Sequence, residues 1–330
     1  MGNVASFAQI TPIDQCNVKD MTMCGSDLYV ATNEGYLIFD TKVGETKEMK
    51  TVGNLTSIIA KDQTDLWYIA NLGMSSTINH VKGAETTTYS VANGAIKGGQ
   101  YADYSAKGLA YGPDNTVWFG AYGFFHKFDG KEWTNYTCPA SNFGSIYYKR
   151  FAFDSNGTVW VAGKDGQKNA TFGEFDPVKG EQTPVACDFA DDGVNSMFVD
   201  ANDNVWIGTD YKGFYKYDGS TFVNYNKDSE ANIDINIKTN ATVGLCQATN
   251  GDIYYAFNKS LVCFSGDYMV VAGTVTNEDH PRDAITCLFP YGEYIFIGTE
   301  QTGVHCYNTT TGEITQVADG TPVVSAISNV

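Results

Sequence analysis

A five-residue string recurs seven times along the chain and constrains its fold more than any other feature. Each copy reads aliphatic, aromatic, β-branched or aromatic, small, small, as in Val205-Trp206-Ile207-Gly208-Thr209. The aromatic positions are 29, 67, 118, 160, 206, 254 and 296, with a mean spacing of about 44 residues. A repeat of this length with several short strands per unit is typical of β-propeller blades.

The flanks of the string repeat as well and predict four strands per unit. An apolar stretch and a polar turn precede the string, as in SMFVDANDN before Val205. A Gly-containing loop follows, then a third stretch such as GFYKYDG and often a fourth such as STFVNYN. Asp-Gly and Asn-Gly between alternating apolar residues are strong hairpin signals. Each unit is therefore expected to be a four-stranded antiparallel meander.

We predict an all-β protein, a seven-bladed β-propeller that forms a single domain over residues 1–330. The small residues of the string let neighbouring blades approach near the axis, and the aromatic residues fill the wedge where blades diverge. We expect a terminal strand to close the ring, with tails 1–17 and 320–330 including that strand and the choice of terminus left open. The expected blades are 18–52, 54–93, 106–137, 147–187, 193–226, 241–275 and 284–319.

The best-preserved unit resembles the two-component-regulator propeller repeat, whose units read like NxVWIGT…GLxxYDGxxFxxY. The matching residues are Asp203-Asn204-Val205-Trp206-Ile207-Gly208-Thr209, Gly213-Phe214-Tyr215-Lys216-Tyr217-Asp218-Gly219, Phe222 and Tyr225. In that family the propellers are usually periplasmic sensor domains joined to a membrane helix and a histidine kinase. The 330 residues contain neither of those parts, so the resemblance implies a fold and leaves activity open.

Charge and composition exclude several classes of function. The chain carries 38 acidic and 21 basic residues, a net charge of −17, so we expect no nucleic-acid partner and no binding to anionic membranes. No apolar stretch reaches the length of a membrane span, and the first residues lack the features of a signal peptide. We therefore expect a cytoplasmic or virion-associated protein. The eight cysteines form no CxxC pair and are expected to be reduced thiols of the core.

Chemical motifs are sparse, and we predict no catalytic residue, no metal site and no cofactor. The four histidines (His80, His126, His280 and His305) lack metal-site spacing. The turns at 154–157 and 200–204 carry Asp and Asn, which leaves calcium as an alternative. Turn geometry alone also favours these residue types, and the 12-residue EF-hand loop is absent.

The long connections between blades are the predicted binding face. They combine tyrosines with a few charges of both signs, which suits contacts with a protein or a glycan. The candidate residues are Tyr101, Asp103, Tyr104, Tyr147, Arg150, Asp191, Asp192, His280, Arg282 and Asp283.

We predict a non-enzymatic interaction or scaffold module, a subunit of a larger protein assembly such as a bacteriophage virion or tail. The first alternative is a ligand-binding or glycan-binding sensor, which an axial pocket lined by aromatic residues and Arg would favour. The second is a metal-assisted hydrolase or lyase, which three or more carboxylate ligands around a divalent ion in the channel would favour.

Overall fold

The computed structural model describes residues 11–73, 75–97, 107–121, 124–137, 147–164, 170–189 and 193–323. These residues form seven sheets, each with four antiparallel strands that follow one another in the chain. The predicted fold class, a seven-bladed β-propeller, is confirmed. No helix in this part of the chain is long and apolar enough to cross a membrane.

Each blade is a meander of four strands. Blades 1 to 3 comprise β1 (Val18–Cys24), β2 (Asp27–Thr32), β3 (Gly35–Asp40), β4 (Glu45–Thr51), β5 (Asn54–Asp62), β6 (Asp65–Asn71), β7 (Ser76–Lys82), β8 (Glu85–Tyr89), β9 (Lys107–Tyr111), β10 (Val117–Ala121), β11 (Phe124–Phe128) and β12 (Trp133–Thr137). Blades 4 and 5 comprise β13 (Tyr147–Phe153), β14 (Val159–Lys164), β15 (Ala170–Asp176), β16 (Glu181–Pro184), β17 (Val194–Val199), β18 (Val205–Thr209), β19 (Phe214–Tyr217) and β20 (Phe222–Tyr225). Blades 6 and 7 comprise β21 (Val243–Gln247), β22 (Ile253–Phe257), β23 (Ser260–Phe264), β24 (Met269–Thr274), β25 (Ile285–Tyr291), β26 (Tyr294–Thr299), β27 (Val304–Asn308) and β28 (Ile314–Gln316).

The first strand of each blade lies innermost. First strands of successive blades contact one another around the ring, and β25 of the last blade contacts β1 of the first. The fourth strands lie at the rim, where β8 and β16 are largely exposed. The connections that lead into the first strands therefore lie on one face of the ring, and so do the turns between second and third strands. The turns between first and second strands, and those between third and fourth strands, lie on the opposite face.

The recurrent string forms the second strand of every blade and builds the core. Alternate residues of a strand point to opposite faces, and this strand is buried on both. In blade 4, Trp160 and Ala162 pack with Val205 and Ile207 of blade 5. The intervening residues of the same strand pack towards blade 3. Seven such clusters fill the seven junctions between blades, so the aromatic residues do form the wedge between sheets.

Glycine in the string allows close approach of neighbouring blades. A Cβ atom at Gly208 would lie 2.9 Å from Thr242 Cγ2, just before blade 6. A Cβ atom at Gly298 would lie 2.5 Å from Val18 Cγ1 of blade 1 and 2.7 Å from Cys287 Sγ. Such distances are shorter than van der Waals contact, so the ring closes tightly only with glycine at these positions.

The described parts of both tails lie across the junction between the last and first blades. The amide of Val304 in blade 7 donates to Ile13 O at 3.0 Å, and that of Val323 donates to Thr41 O of blade 1 at 2.9 Å. Both tails therefore bond the two blades together. Every sheet of the described residues is built from consecutive strands. The predicted closing strand falls on tails 1–17 and 320–330, of which residues 1–10 and 324–330 lie outside the described part, so it stays a prediction.

We expect Gly298→Ala to lower the free energy of unfolding by about 1–3 kcal/mol, because its methyl group overpacks the junction of blades 7 and 1. Val18→Ala should relieve part of that loss when combined with it. Urea unfolding of the two single variants and the double variant measures the coupling. Strictly additive losses would contradict the close approach.

Candidate functional site

A cavity of about 430 Å³ lies on the axis of the ring, lined by residues from the first strands of all seven blades. This volume is within the range of small-molecule sites. Its polar lining residues are Lys19, Asp20, Thr56, Ser57, Arg150, Asn195, Ser196, Thr286 and Cys287, and its larger apolar ones are Leu109, Phe151, Met197, Val243, Leu245 and Leu288.

A β-bulge in each first strand explains this polar lining. The register of every first strand against the second shifts at the level of the cavity, for example between Val18 and Asp20 or between Val194 and Ser196. A bulge adds one residue to a strand and redirects its side chains. Two consecutive residues of a blade, such as Lys19 and Asp20, therefore both line the cavity.

Asp20 anchors one side of the cavity through three hydrogen bonds. Its Oδ2 accepts from Ser57 Oγ at 2.7 Å and from the amide of Ile58 at 3.0 Å, while Oδ1 accepts from the amide of Met21 at 3.0 Å. Ser57 Oγ also accepts from the amide of Leu109 at 3.2 Å. The first three blades are thus joined by hydrogen bonds at the wall of the cavity.

Arg150 contributes a positive charge from blade 4. Its Nε donates to the carbonyl of Asn195 in blade 5 at 2.6 Å. The side chain of Asn195 in turn donates to Thr242 O at 3.3 Å, just before blade 6. Arg150 is one of only two arginines in the chain, and Lys19 adds a second cation to the lining. The described lining of the cavity therefore has two cations and one acid in a protein of net charge −17.

Two charged groups of the cavity, Asp20 and Arg150, are poorly solvated. Burial raises the pKa of Asp20, against hydrogen bonds from Ser57, Ile58 and Met21 and the charge of Arg150. Burial lowers the pKa of Arg150, and the charge of Asp20 opposes that change. Burial also raises the pKa of the Cys287 thiol to about 12, so this sulfur is a neutral thiol. A polar ligand in such a site would experience weak screening.

The structure separates the residues of the predicted binding face. Tyr101, Asp103, Tyr104, Asp191 and Asp192 lie outside the described residues. Tyr147 opens β13, where its backbone pairs with Lys164. Arg150 lies within the same strand and lines the axial cavity, whereas the sequence suggested the connection between blades.

The three remaining members of the predicted face lie before β25. His280 and Arg282 are exposed, while Asp283 is buried. Asp283 accepts from the amides of Gln301 (2.9 Å) and Thr302 (3.0 Å) and from the Thr302 hydroxyl. Asp283 therefore stabilises the connection between β26 and β27.

Thr302, Asp283 and His305 form a buried hydrogen-bonded row. Thr302 Oγ1 lies 2.9 Å from His305 Nε2 and also contacts the Asp283 carboxylate. In a hydrolase triad the base lies between the nucleophile and the acid. Here the hydroxyl lies between the other two groups, so the row lacks the arrangement of a catalytic triad. Burial lowers the pKa of His305, despite the nearby charge of Asp283.

Two other histidines belong to the packing of the blades. His126 in β11 is buried, stacks on Phe119 with ring centroids 4.5 Å apart, and bonds Asn135 Oδ1 through Nδ1 at 2.8 Å. Burial lowers the pKa of His126 to about 4. His80 in β7 stacks on Trp67 with ring centroids 3.9 Å apart.

The acidic turns considered for calcium form hydrogen bonds within the protein. Asp200 accepts from Trp206 Nε1 at 2.7 Å and from the amides of Asn202 and Asn204 at 2.9 Å. Burial opposes these bonds, but together they lower the pKa of Asp200. Asp203 accepts from the Ser155 amide at 2.8 Å. These oxygens already have donors from turns and from the neighbouring blade.

Seven cysteines lie within the described residues and form no disulfide there. Cys16, Cys246 and Cys306 are buried, while Cys24, Cys187, Cys263 and Cys287 are half-buried.

Comparison with known proteins agrees with this architecture. A family described as two component regulator propeller matches residues 188–211. The resemblance to this propeller repeat is confirmed. The matched residues belong to the connection between blades 4 and 5 and to the first half of blade 5. No curated protein matches the chain in sequence.

Solved structures share the fold at low identity. A catalytically inactive virginiamycin B lyase from Staphylococcus aureus, solved with quinupristin, has a TM-score of 0.70 at 11% identity, covering 90% of this chain and 96% of that one. The extracellular domain of a putative hybrid two-component system from B. thetaiotaomicron has a TM-score of 0.67 at 14% identity, covering 89% and 39%. PorZ, a surface component of the type-IX secretion system of Porphyromonas gingivalis, has a TM-score of 0.59 at 15% identity, covering 88% and 46%. At these identities the likeness shows a shared fold.

We expect the free energy of unfolding to fall as the pH is lowered from 6.5 to 4, because of His126. In that range an unfolded histidine takes up a proton that buried His126 does not, which is equivalent to a loss of up to about 3 kcal/mol. His126→Phe should remove this part of the pH dependence. Chemical unfolding of both proteins across the range measures it, and parallel pH profiles would contradict the assignment.

Proposed function

We propose that the chain is a non-catalytic binding module that takes a small polar molecule into its axial cavity. The observation that carries the proposal is the set of seven bulges, which turn residues of all seven first strands towards one cavity. Hydroxyl, amide, carboxylate and guanidinium groups around one cavity suit the recognition of a polar ligand.

The hydrogen bonding of the cavity supports binding over catalysis. Asp20 would be its carboxylate base, but it already accepts three hydrogen bonds, two of which come from blade 2. A general base needs a lone pair within reach of the substrate proton. His126 and His305 belong to third strands, away from the cavity lining. In the described residues, no three His, Cys, Asp or Glu side chains are grouped to hold a metal ion.

The cavity also supports the sensor alternative in part. We expected this alternative to show an axial pocket lined by aromatic residues and Arg. The described lining includes Arg150 and one aromatic residue, Phe151. Binding here would depend on hydrogen bonds and charge, with little stacking on aromatic rings.

Blocking the cavity tests the proposal. Thr286→Trp places a bulky ring in the lining, and Thr311→Trp, on an exposed turn of the same blade, is the matched control. A library of small polar molecules is screened by ligand-observed NMR against each protein. We expect hits that bind the wild type and the control but are lost in Thr286→Trp. Hits unaffected by Thr286→Trp would contradict the axial site.

A role in a larger assembly is the second candidate and rests on a different surface. Ile233 and Ile235, on the connection between blades 5 and 6, are 66% and 86% exposed. The connection is held against the rim of blade 6, where the Met269 amide donates to Ala231 O at 2.6 Å and the Val271 amide to Asp234 Oδ2 at 2.9 Å. An anchored segment with exposed apolar side chains suits contact with a protein. A virion or tail as the setting stays a prediction.

Site-specific photo-crosslinking tests this surface. The photoreactive residue p-benzoylphenylalanine replaces either Ile235 or Val178, an equally apolar residue that is 93% exposed in the turn between β15 and β16 on the other face. In the cells that produce the chain, we expect a discrete crosslinked product only from position 235. Equal labelling at both positions would argue against a specific partner face.

A further inference from the structure

We infer that the axial cavity selects a small hydroxylated carboxylate, in the manner of a hexuronic acid, through Arg150 and Lys19. This inference rests on the proposed binding function and adds the class of ligand. Its basis is the distribution of charge and of hydrogen-bonding groups around the cavity.

The balance of charge in the cavity favours an anion. Among the described residues the lining contains two cations, Lys19 and Arg150, and one acid, Asp20, although acids outnumber bases by 38 to 21 in the whole chain. The Asp20 carboxylate is already met by donors from Ser57, Ile58 and Met21. Its negative charge is thereby stabilised within the wall, and a ligand cation would compete with three existing bonds.

The planar guanidinium of Arg150 suits a carboxylate. Its Nε is oriented by the bond to Asn195 O, so the group has a defined plane at the cavity wall. Arginine presents donors in a fixed fork that matches the two oxygens of a carboxylate, and a poorly solvated site strengthens such bonds. Lys19, in the bulge next to Asp20, adds a second positive charge.

The remaining polar side chains suit hydroxyl groups. Thr56 and Thr286 come from two different blades and line the same cavity with Asn195 of a third. Hydroxyl and amide side chains both donate and accept hydrogen bonds, so they can pair with ligand hydroxyls. Neutral groups that bind hydroxyls, next to the cations Lys19 and Arg150, fit a polyhydroxylated acid better than a simple anion or an apolar molecule.

The test compares three probes of one size that differ in charge: glucuronate, glucose and glucosamine. Isothermal titration calorimetry at pH 7 measures each against the wild type, Arg150→Met and Lys19→Met, with Arg282→Met as the control that removes the only other arginine. We expect glucuronate to bind most tightly, with its affinity reduced about tenfold or more in Arg150→Met, reduced less in Lys19→Met and unchanged in Arg282→Met. Lys19→Met keeps the test decisive if Arg150→Met fails to fold, because Lys19 makes no bond between blades in the described structure.

Each of the other outcomes contradicts either the inferred ligand class or the axial binding site itself. Glucose or glucosamine binding as tightly as glucuronate, with loss in Thr286→Trp, would overturn the carboxylate inference and leave the axial binding function standing. Glucuronate binding that falls in Arg282→Met but not in Arg150→Met or Lys19→Met would move the site to the exposed connections and overturn both. Binding of none of the three probes would overturn the inferred ligand class, and the NMR screen then decides the proposed function separately.

Discussion

Packing of the second strands against both neighbouring blades is the constraint on which the rest of the structure depends. A sheet normally has one buried face, but each central strand here is buried on two, so a blade is stable only between two others. Trp160 of blade 4 needs the surface that Val205 and Ile207 of blade 5 provide. The chain therefore has to close into a ring, and the last junction needs glycine at 298 because a Cβ atom there would overlap Val18 of the first blade.

Closure of the ring creates both the cavity and the demand for polar groups around it. First strands converge on the axis, where their inner edges cannot all be covered by apolar packing. The bulges turn polar side chains into this space, and several of them join one blade to the next, as Asp20 and Ser57 do across the first three blades. The same groups that hold the ring rigid define the chemistry offered to a ligand. This overlap favours recognition by a preorganised wall, which loses little conformational entropy on binding.

The sequence predicts much of the fold and little of the candidate site. The string around Trp206 predicts the second strand, its burial and the number of blades, because the wedge between blades imposes the same residue types each time. A second pattern was also present: Val18-Lys19-Asp20-Met21, Leu55-Thr56-Ser57-Ile58 and Val194-Asn195-Ser196-Met197 each place two polar residues between apolar ones. Two successive polar residues break the alternation of a strand and therefore predict its interruption. Here the bulge turns both side chains to the same side. Arg150 was assigned to a connection for the same reason, since the polar residues before it resemble a loop.

Local pattern by itself determined that this chain has seven blades of four strands, since each blade repeats the same alternation and the same turns. Tertiary structure alone decided which residues meet at the axis. Asp20 and Arg150 belong to blades 1 and 4, and no periodicity relates them. They line one cavity because the first strands converge when the ring closes. The contacts across the closing junction are also a tertiary outcome: Ile13 and Val323 of the tails bond to blades 7 and 1, and Gly298 packs against Val18, because only the folded ring brings the two ends of the chain together.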